Sequence, residues 1–367
     1  MIFTELRFVL LFAGCWISFF AVPRKMRMAV LAAWGMTFYA LFAGWFLAVV
    51  LALTLAALYV VPLAAGLAIV GVLVYVKLSP AIVPLGISYL AFELLHVAIE
   101  RKRGRLRELS LPKMLAFAFF MPARAAGPIK RFAPFVAAVE AAERSAENVY
   151  GGLLRVLIGL AKKFVIADLL ALTVEESRYV DSMRHAWVIV IAFSFRIFFD
   201  FSAYSDIAIG FAQMLGITLP ENFNWPYLAA NIREFWERWH ITLSQWVRDY
   251  VFTPCGRLLF RTPLRPYPAV IATISYLITF AIVGAWHGLT PAFVLWGVYH
   301  GVLLSAYHVV SIKMPAAITD RAWYHGRPMR FVGMASTFLF VTIGWVPFFL
   351  PMTKAMTFWM LMFGVRR

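Results

Sequence analysis

PYPAVIATISYLITFAIVGAWHGLTPAFVLWGVYHGVLLSAYHVVSI, residues 266 to 312, runs for 47 residues without Asp, Glu, Lys or Arg. A bilayer's hydrocarbon core takes roughly 20 apolar residues per helix, so this run predicts two crossings. Backbone polar groups in lipid must be satisfied within the segment, which makes both crossings helical. Residues 28 to 76 are equally free of charge over 49 residues and predict another two. Further helices are expected near 6–22, 81–100, 111–122, 149–172, 185–215 and 331–352.

The remainder agrees with these runs. Of 367 residues, 63% are hydrophobic and 14% charged, too few charges to cover a soluble fold of this length. The net charge of +16 would suit nucleic acid in a soluble protein. Here the basic residues fall in short clusters between apolar runs: Arg24-Lys25-Arg27, Arg101-Lys102-Arg103 with Arg105 and Arg107, Lys130-Arg131, Lys162-Lys163, and Arg321, Arg327 and Arg330. That is the pattern of the positive-inside bias, so the partner is a lipid bilayer and not nucleic acid. Basic residues follow the first apolar stretch instead of preceding it, which predicts a retained helix rather than a cleaved leader. Cys15 and Cys255 have no metal or disulfide spacing. The fold class is all-α, a polytopic membrane protein forming a single integral membrane domain over 1–367.

Two stretches depart from simple spans. Between 81 and 132, Pro84, Pro112, Pro122 and Pro128 cut the chain into short apolar pieces, which predicts re-entrant elements lodged in protein. From Asn231 to about Phe252, the apolar residues Phe235, Trp239, Leu243, Trp246 and Tyr250 keep helical spacing. Asn231 is the expected N-cap, and Arg233–Glu237 and Glu234–Arg238 are opposite-charge pairs at i,i+4. This reads as one amphipathic helix in the interface.

Seven histidines are present, and His287 is the most informative. It stands inside the uncharged run, where an ionisable group needs a cavity or a partner. Imidazole is the side chain best suited to accept a proton near neutral pH, so His287 is a candidate general base. A structural histidine bonded to a neighbouring helix fits the position equally well. Gly284 and Gly288 beside it leave room for another helix or a substrate. His240, His300 and His308 read as packing residues, and His185 and His325 as loop residues. His96 with Glu93 and Glu100 reads as a charge cluster ahead of a metal site. Asp200 and Asp206 form a polar island with Ser202, Tyr204 and Ser205, read first as partners of arginines, Arg196 or one from the amphipathic helix. There is no phosphate loop, no His-Glu-x-x-His and no Gly-x-Ser-x-Gly, so neither a bound metal nor an acyl-enzyme is expected.

Several stretches in order resemble the bacterial branch of the membrane-bound O-acyltransferase family. They are Ala126-Gly127-Pro128-Ile129, Asp200-Phe201-Ser202-Ala203-Tyr204-Ser205-Asp206-Ile207-Ala208-Ile209-Gly210, Pro220-Glu221-Asn222-Phe223-Asn224, Glu234-Phe235-Trp236-Glu237-Arg238-Trp239-His240, Arg248-Asp249-Tyr250 and Trp286-His287-Gly288. The similarity spans about 80–350 and is shared with alginate O-acetyltransferase and the D-alanyl transfer protein of teichoic acid synthesis. It implies a ring of tilted helices with re-entrant and interfacial elements around a central tunnel. It also implies that His287 and His240 are the catalytic histidines. Trp286, Asn222, Asn224, Trp239, Asp206 and Arg238 are then expected to line the tunnel or bind substrate.

The implied function is transfer of an acyl group, acetyl in the first reading, from a cytoplasmic thioester to a hydroxyl of an extracytoplasmic polysaccharide or other surface polymer. The donor is acetyl-CoA or an acyl-carrier phosphopantetheine, with no permanently bound cofactor. A carrier protein on the cytoplasmic side and a periplasmic or extracellular acyltransferase are the implied partners. The expected location is the inner membrane, crossed many times. D-alanyl transfer to a teichoic-acid-type acceptor is the alternative within the family. A proton-coupled transporter or flippase is the alternative of another class, since intramembrane His and Asp also mark proton relays. The chain is shorter than alginate-type members of the family, while Val251-Phe252-Thr253-Pro254-Cys255-Gly256-Arg257 is closer to the alginate-type continuation.

Overall fold

The computed structural model describes residues 2–79, 85–106, 108–124, 127–315, 317, 321 and 326–365. Pro84, Arg107, Ala126 and His325 therefore lie outside the described residues. Among the described residues all regular structure is helical. Five helices are long and apolar enough to cross a membrane: Arg24–Ala43, Met183–Met214, Pro268–His287, Pro291–Lys313 and Arg327–Phe349. The chain forms two compact units, Met1–Lys163 with Phe201–Glu221, and Phe164–Asp200 with Asn222–Arg367.

The first unit begins with α1 (Leu6–Ala21) and α2 (Arg27–Ala43), followed by α3 (Phe46–Tyr59) and α4 (Pro62–Leu78). The uncharged run 28–76 thus makes three helices, not the expected two. Gly44 takes a φ of 57°, a conformation that ends α2 without any charged residue to announce it. Pro62 then opens α4 at a first-turn position, where a missing N–H costs nothing. At about 1.5 Å per residue, α3 is too short for a hydrocarbon core of about 30 Å.

The segment expected to be re-entrant consists of α5 (Ile87–Lys102), the short α6 (Leu111–Phe119), a 3-10 turn at Met121–Ala123 and non-helical chain from 127 to 131. Its irregular part is enclosed by protein, since Phe120, Ala123, Arg124 and Lys130 are all buried. Glu93 of α5 fastens it. Its carboxylate accepts from the Lys130 backbone N–H at 3.1 Å, from Lys130 Nζ at 2.6 Å and from the Arg124 guanidinium. His96 accepts from the Phe132 N–H at 3.1 Å, while Glu100 pairs with Arg103 and Arg105. The cluster around His96 is therefore an ion-pair framework, and no group able to hold a metal occurs among the described residues. α7 (Phe132–Ala141) and α8 (Ala146–Ala161) complete this part, the latter capped by Ser145 Oγ accepting from the Asn148 N–H.

In the second unit, α9 (Asp168–Glu175) precedes α10 (Met183–Met214), whose C-terminal part belongs to the first unit. The expected single amphipathic helix from Asn231 is two helices, α11 (Ile232–Arg238) and α12 (Ile241–Val247), continued by a π-turn at Arg248–Phe252 and α13 (Thr253–Leu259). His240 sits between α11 and α12 with a φ of 41°. Asn231 does cap α11, accepting from the Glu234 N–H, and Arg238 pairs with Glu234 at 2.6 Å. Arg233 instead lies over the Tyr307 ring.

The decisive run forms α14 (Pro268–His287) and α15 (Pro291–Lys313), as its length requires. They are antiparallel neighbours in very close contact. A Cβ on Gly284 would strike the Phe293 carbonyl, and one on Gly297 the Phe280 carbonyl. Glycine at both positions lets the backbones approach this closely.

Candidate functional site

His287 is the last residue of α14, and the Gly288 N–H closes the helix on the Gly284 carbonyl. The site is therefore at the tip of the α14–α15 hairpin, at the end of a helix long and apolar enough to cross a membrane. Aromatic rings surround the half-buried imidazole. Trp296 stands edge-on at 5.2 Å between centroids, Phe348 at 4.9 Å, Trp286 at 4.5 Å and Phe293 at 6.1 Å. Such packing fixes the plane of the ring.

His240 is buried, and its ring lies 6.5 Å from Trp286 and stacks on Phe223 at the same distance. Its left-handed backbone costs a non-glycine residue about 1–2 kcal/mol. A strand-like segment holds it in place. The Asn224 N–H donates to the Arg238 carbonyl, and the Ile241 N–H donates to the Asn222 carbonyl, both at 2.9 Å. Asn222 Oδ1 also accepts from Thr242 Oγ1 at 2.9 Å. The bonds flank position 240 on both sides, so the conformation is imposed by its neighbours. Burial, and secondarily the charge of His287, push the His240 imidazole well below its ordinary pKa. Burial thus favours its neutral form.

The other expected site residues separate into groups. Trp286 lies at the histidine pair, Asn222 and Asn224 position His240, and Arg238 bridges Glu234 and the Asn224 carbonyl. Trp239 is buried in an aromatic block with Phe223, Phe235 and Trp345. Asp206 belongs to the first unit, where Arg155 and Lys162 hold it at 3.1 and 2.6 Å. It is an ion-pair residue, as the polar island suggested, but its partners come from α8 and the turn after it. His185 faces Glu176 and Asp181. His300 is fully buried against Trp236 and Trp296.

Sequence reading did not single out Trp296, Phe348 or the cavity lined by Val283 and Ile241. A pocket of about 400 Å³ runs along α14, lined there by Tyr276, Thr279, Phe280 and Val283. Trp236 and Ile241 face it from α11 and α12, and Arg233, Glu237 and Arg248 add charged side chains. Val283 is one helical turn before His287, and Ile241 directly follows His240. The volume is within the range of small-molecule sites. Nothing in an apolar run marks which of its residues will line a cavity.

Comparison with known proteins adds a family. The sequence model described as MBOAT, membrane-bound O-acyltransferase family, matches residues 11–325. The chain is 35% identical over 233 residues to the teichoic acid D-alanyltransferase of Bacillus subtilis strain 168, covering 61% of this chain and 58% of that protein. It is 32% identical over 274 residues to a Pseudomonas aeruginosa protein named "Probable alginate O-acetylase AlgI", covering 74% and 49%. A peptidoglycan O-acetyltransferase of Helicobacter pylori is 34% identical over 244 residues, covering 63% and 42%. The chain spans about half the length of these relatives.

Proposed function

Because this chain belongs to the membrane-bound O-acyltransferase family, we propose that it transfers an acyl group, acetyl in the first instance, from a thioester to a hydroxyl of an envelope polymer. The observation that carries the proposal is the proximity of His287 to His240, with a pocket lined by Val283, one helical turn before His287, and by Ile241, the residue after His240. His287 removes the hydroxyl proton as the oxygen attacks the thioester carbonyl. Neutral His240 donates to the oxyanion that develops, a contact stronger in the transition state than before it. The tetrahedral intermediate expels the thiolate, which takes the proton back from His287. Ester and thiol are formed with no net proton change.

The hairpin supports access from two sides. Arg265 and Lys313 flank its open end, whereas His287 is at the tip. The positive-inside bias assigns the basic end to the cytoplasm, so the tip faces the acceptor side. On that orientation the pocket, lined by Tyr276 to Val283 on α14, would supply the donor side. Coenzyme A or a phosphopantetheine carrier protein is the donor, recruited by basic loops through its anionic groups. A periplasmic or extracellular acyltransferase is the proposed relay partner, and the inner membrane is the proposed location of this chain. Likeness to a D-alanyltransferase supports a second reading, in which the group is D-alanyl and the acceptor a teichoic acid.

Purified protein in lipid nanodiscs, given labelled acetyl-CoA or D-alanyl carrier and a polymer acceptor, tests the proposal. Transfer is expected with one donor and none with His287→Ala, whose melting temperature stays close to wild type. Transfer by His287→Ala at the wild-type rate would overturn the mechanism. Substrate uptake into proteoliposomes without acyl product would instead identify a transporter.

A further inference from the structure

The segment that leads from α13 into α14 carries three arginines, Arg257, Arg261 and Arg265, and no acidic residue stands between Asp249 and Asp320. All three are exposed, and their side chains have no hydrogen-bond or ion-pair partner among the described residues. Their neighbours are apolar and equally open: Leu258 is 66% exposed, Phe260 47% and Tyr267 60%. Large apolar side chains left open among unpaired cations mark a surface that something else covers.

The place of α13 says what covers it. α14 has 20 residues, the length of one crossing, and Tyr267 precedes it as an aromatic residue does at the headgroup level. Gly256 of α13 lies against α14, where an added Cβ would stand 3.7 Å from the Ser275 hydroxyl. Phe252 packs on Tyr276 at 4.7 Å between ring centroids. Ser275 is seven residues into α14, about 10 Å along its axis. α13 therefore sits beside the crossing helix at the level of the lipid, and Arg257 follows Gly256 directly. A guanidinium at that depth needs an anion or must reach back toward the headgroups. Arg261 and Arg265 come next at steps of four residues, on turns closed by the Arg261 N–H on the Leu258 carbonyl and the Arg265 N–H on the Thr262 carbonyl. We infer that Arg257, Arg261 and Arg265 form a seat for an anionic phospholipid, with guanidinium groups on its phosphate and acyl chains over Leu258 and Phe260. Guanidinium holds phosphate oxygens in a bidentate fork. Three cations without a carboxylate favour a head group of net negative charge over a zwitterionic one. The seat is independent of the transfer reaction.

Phosphatidylglycerol and phosphatidylcholine with the same acyl chains are titrated onto the delipidated protein in detergent, and bound lipid is counted by native mass spectrometry. Wild type is expected to hold phosphatidylglycerol at least about fivefold more tightly, the contribution of one arginine near an anionic head group. Arg257→Gln/Arg261→Gln/Arg265→Gln should lose that preference, with phosphatidylcholine binding and melting temperature in detergent unchanged. Arg257→Gln alone, expected to weaken phosphatidylglycerol about fivefold, serves if the triple variant is unstable. Arg321→Gln/Arg327→Gln/Arg330→Gln removes the same charge from another exposed basic cluster and should keep the preference. Equal binding of the two lipids by wild type, an unaltered preference in the first variants, or equal loss in both triple variants would overturn the seat. Displacement of bound phosphatidylglycerol by excess coenzyme A would also overturn it, assigning the arginines to a soluble phosphate ligand.

Discussion

Asn222 and Thr242 are joined across His240. The Thr242 hydroxyl donates to Asn222 Oδ1 at 2.9 Å while the Ile241 N–H donates to the Asn222 carbonyl at the same distance. One asparagine therefore secures the chain immediately after a buried left-handed histidine. Replacing it by Ala leaves a buried hydroxyl short of its acceptor, at a cost of about 1–3 kcal/mol. Asn222→Ala should lower the melting temperature and reduce kcat at least tenfold, with donor KM little changed. A variant that melted lower but kept full kcat would limit Asn222 to a structural role.

The φ of 41° at position 240 gives a prediction of unusual sign. His240→Gly and His240→Ala both remove the imidazole, but only glycine accepts that backbone without strain. The Gly variant should be the more stable, by about 1 kcal/mol, although glycine is ordinarily the worse choice. Melting curves of the two in the same nanodiscs decide it. An Ala variant melting above the Gly variant would mean that the backbone relaxes once the ring is gone.

His240 also sets a pH dependence. Its folded pKa lies well below the ordinary 6.5, mainly through burial. As pH falls through 6.5 the unfolded chain gains a proton there and the folded chain does not. The group's contribution is therefore present above 6.5 and is lost as pH falls toward the folded value. Between pH 7.5 and pH 5, wild type should lose more melting temperature than His240→Gln. Equal slopes for the two would remove His240 from the acid response.

Glu93 is the counter-charge for two fully buried cations, Arg124 and Lys130. Burial first, with Glu93 opposing and Arg124 adding, pushes the Lys130 ammonium down to about 7. In Glu93→Gln the raising influence of Glu93 is gone, so Lys130 is pushed further toward its neutral form, and Arg124 loses its counter-charge. The expected loss is about 3–5 kcal/mol. It is read as a large drop in melting temperature and in yield of folded protein. Near-normal melting would show that water reaches the cluster.

What could be read in advance followed the charge pattern. The α14–α15 hairpin was legible because uncharged length alone requires two crossings, and the Asn231 cap because its side chain acts locally. Gly44 was missed because it divides an uncharged run with no polar marker. The break at His240 was missed for a subtler reason. Phe235, Trp239, Leu243 and Trp246 keep helical spacing through it, and the left-handed turn falls on a residue type that does not advertise one. The proximity of His240 to His287 is a tertiary fact that periodicity could not show; motif resemblance named both residues but not their nearness.

The hairpin also has to be made. On the orientation proposed above, α14 and α15 enter the membrane with their tip, Trp286 to Thr290, carried across the lipid ahead of both ends. An arginine or lysine there would oppose insertion by about 2.5–3.5 kcal/mol at the bilayer centre. Imidazole, unlike a guanidinium or an ammonium, carries no obligatory charge. The same residue type that suits the chemistry at position 287 is thus one that biogenesis can deliver, and His287→Arg should fail at insertion before its activity can be asked about.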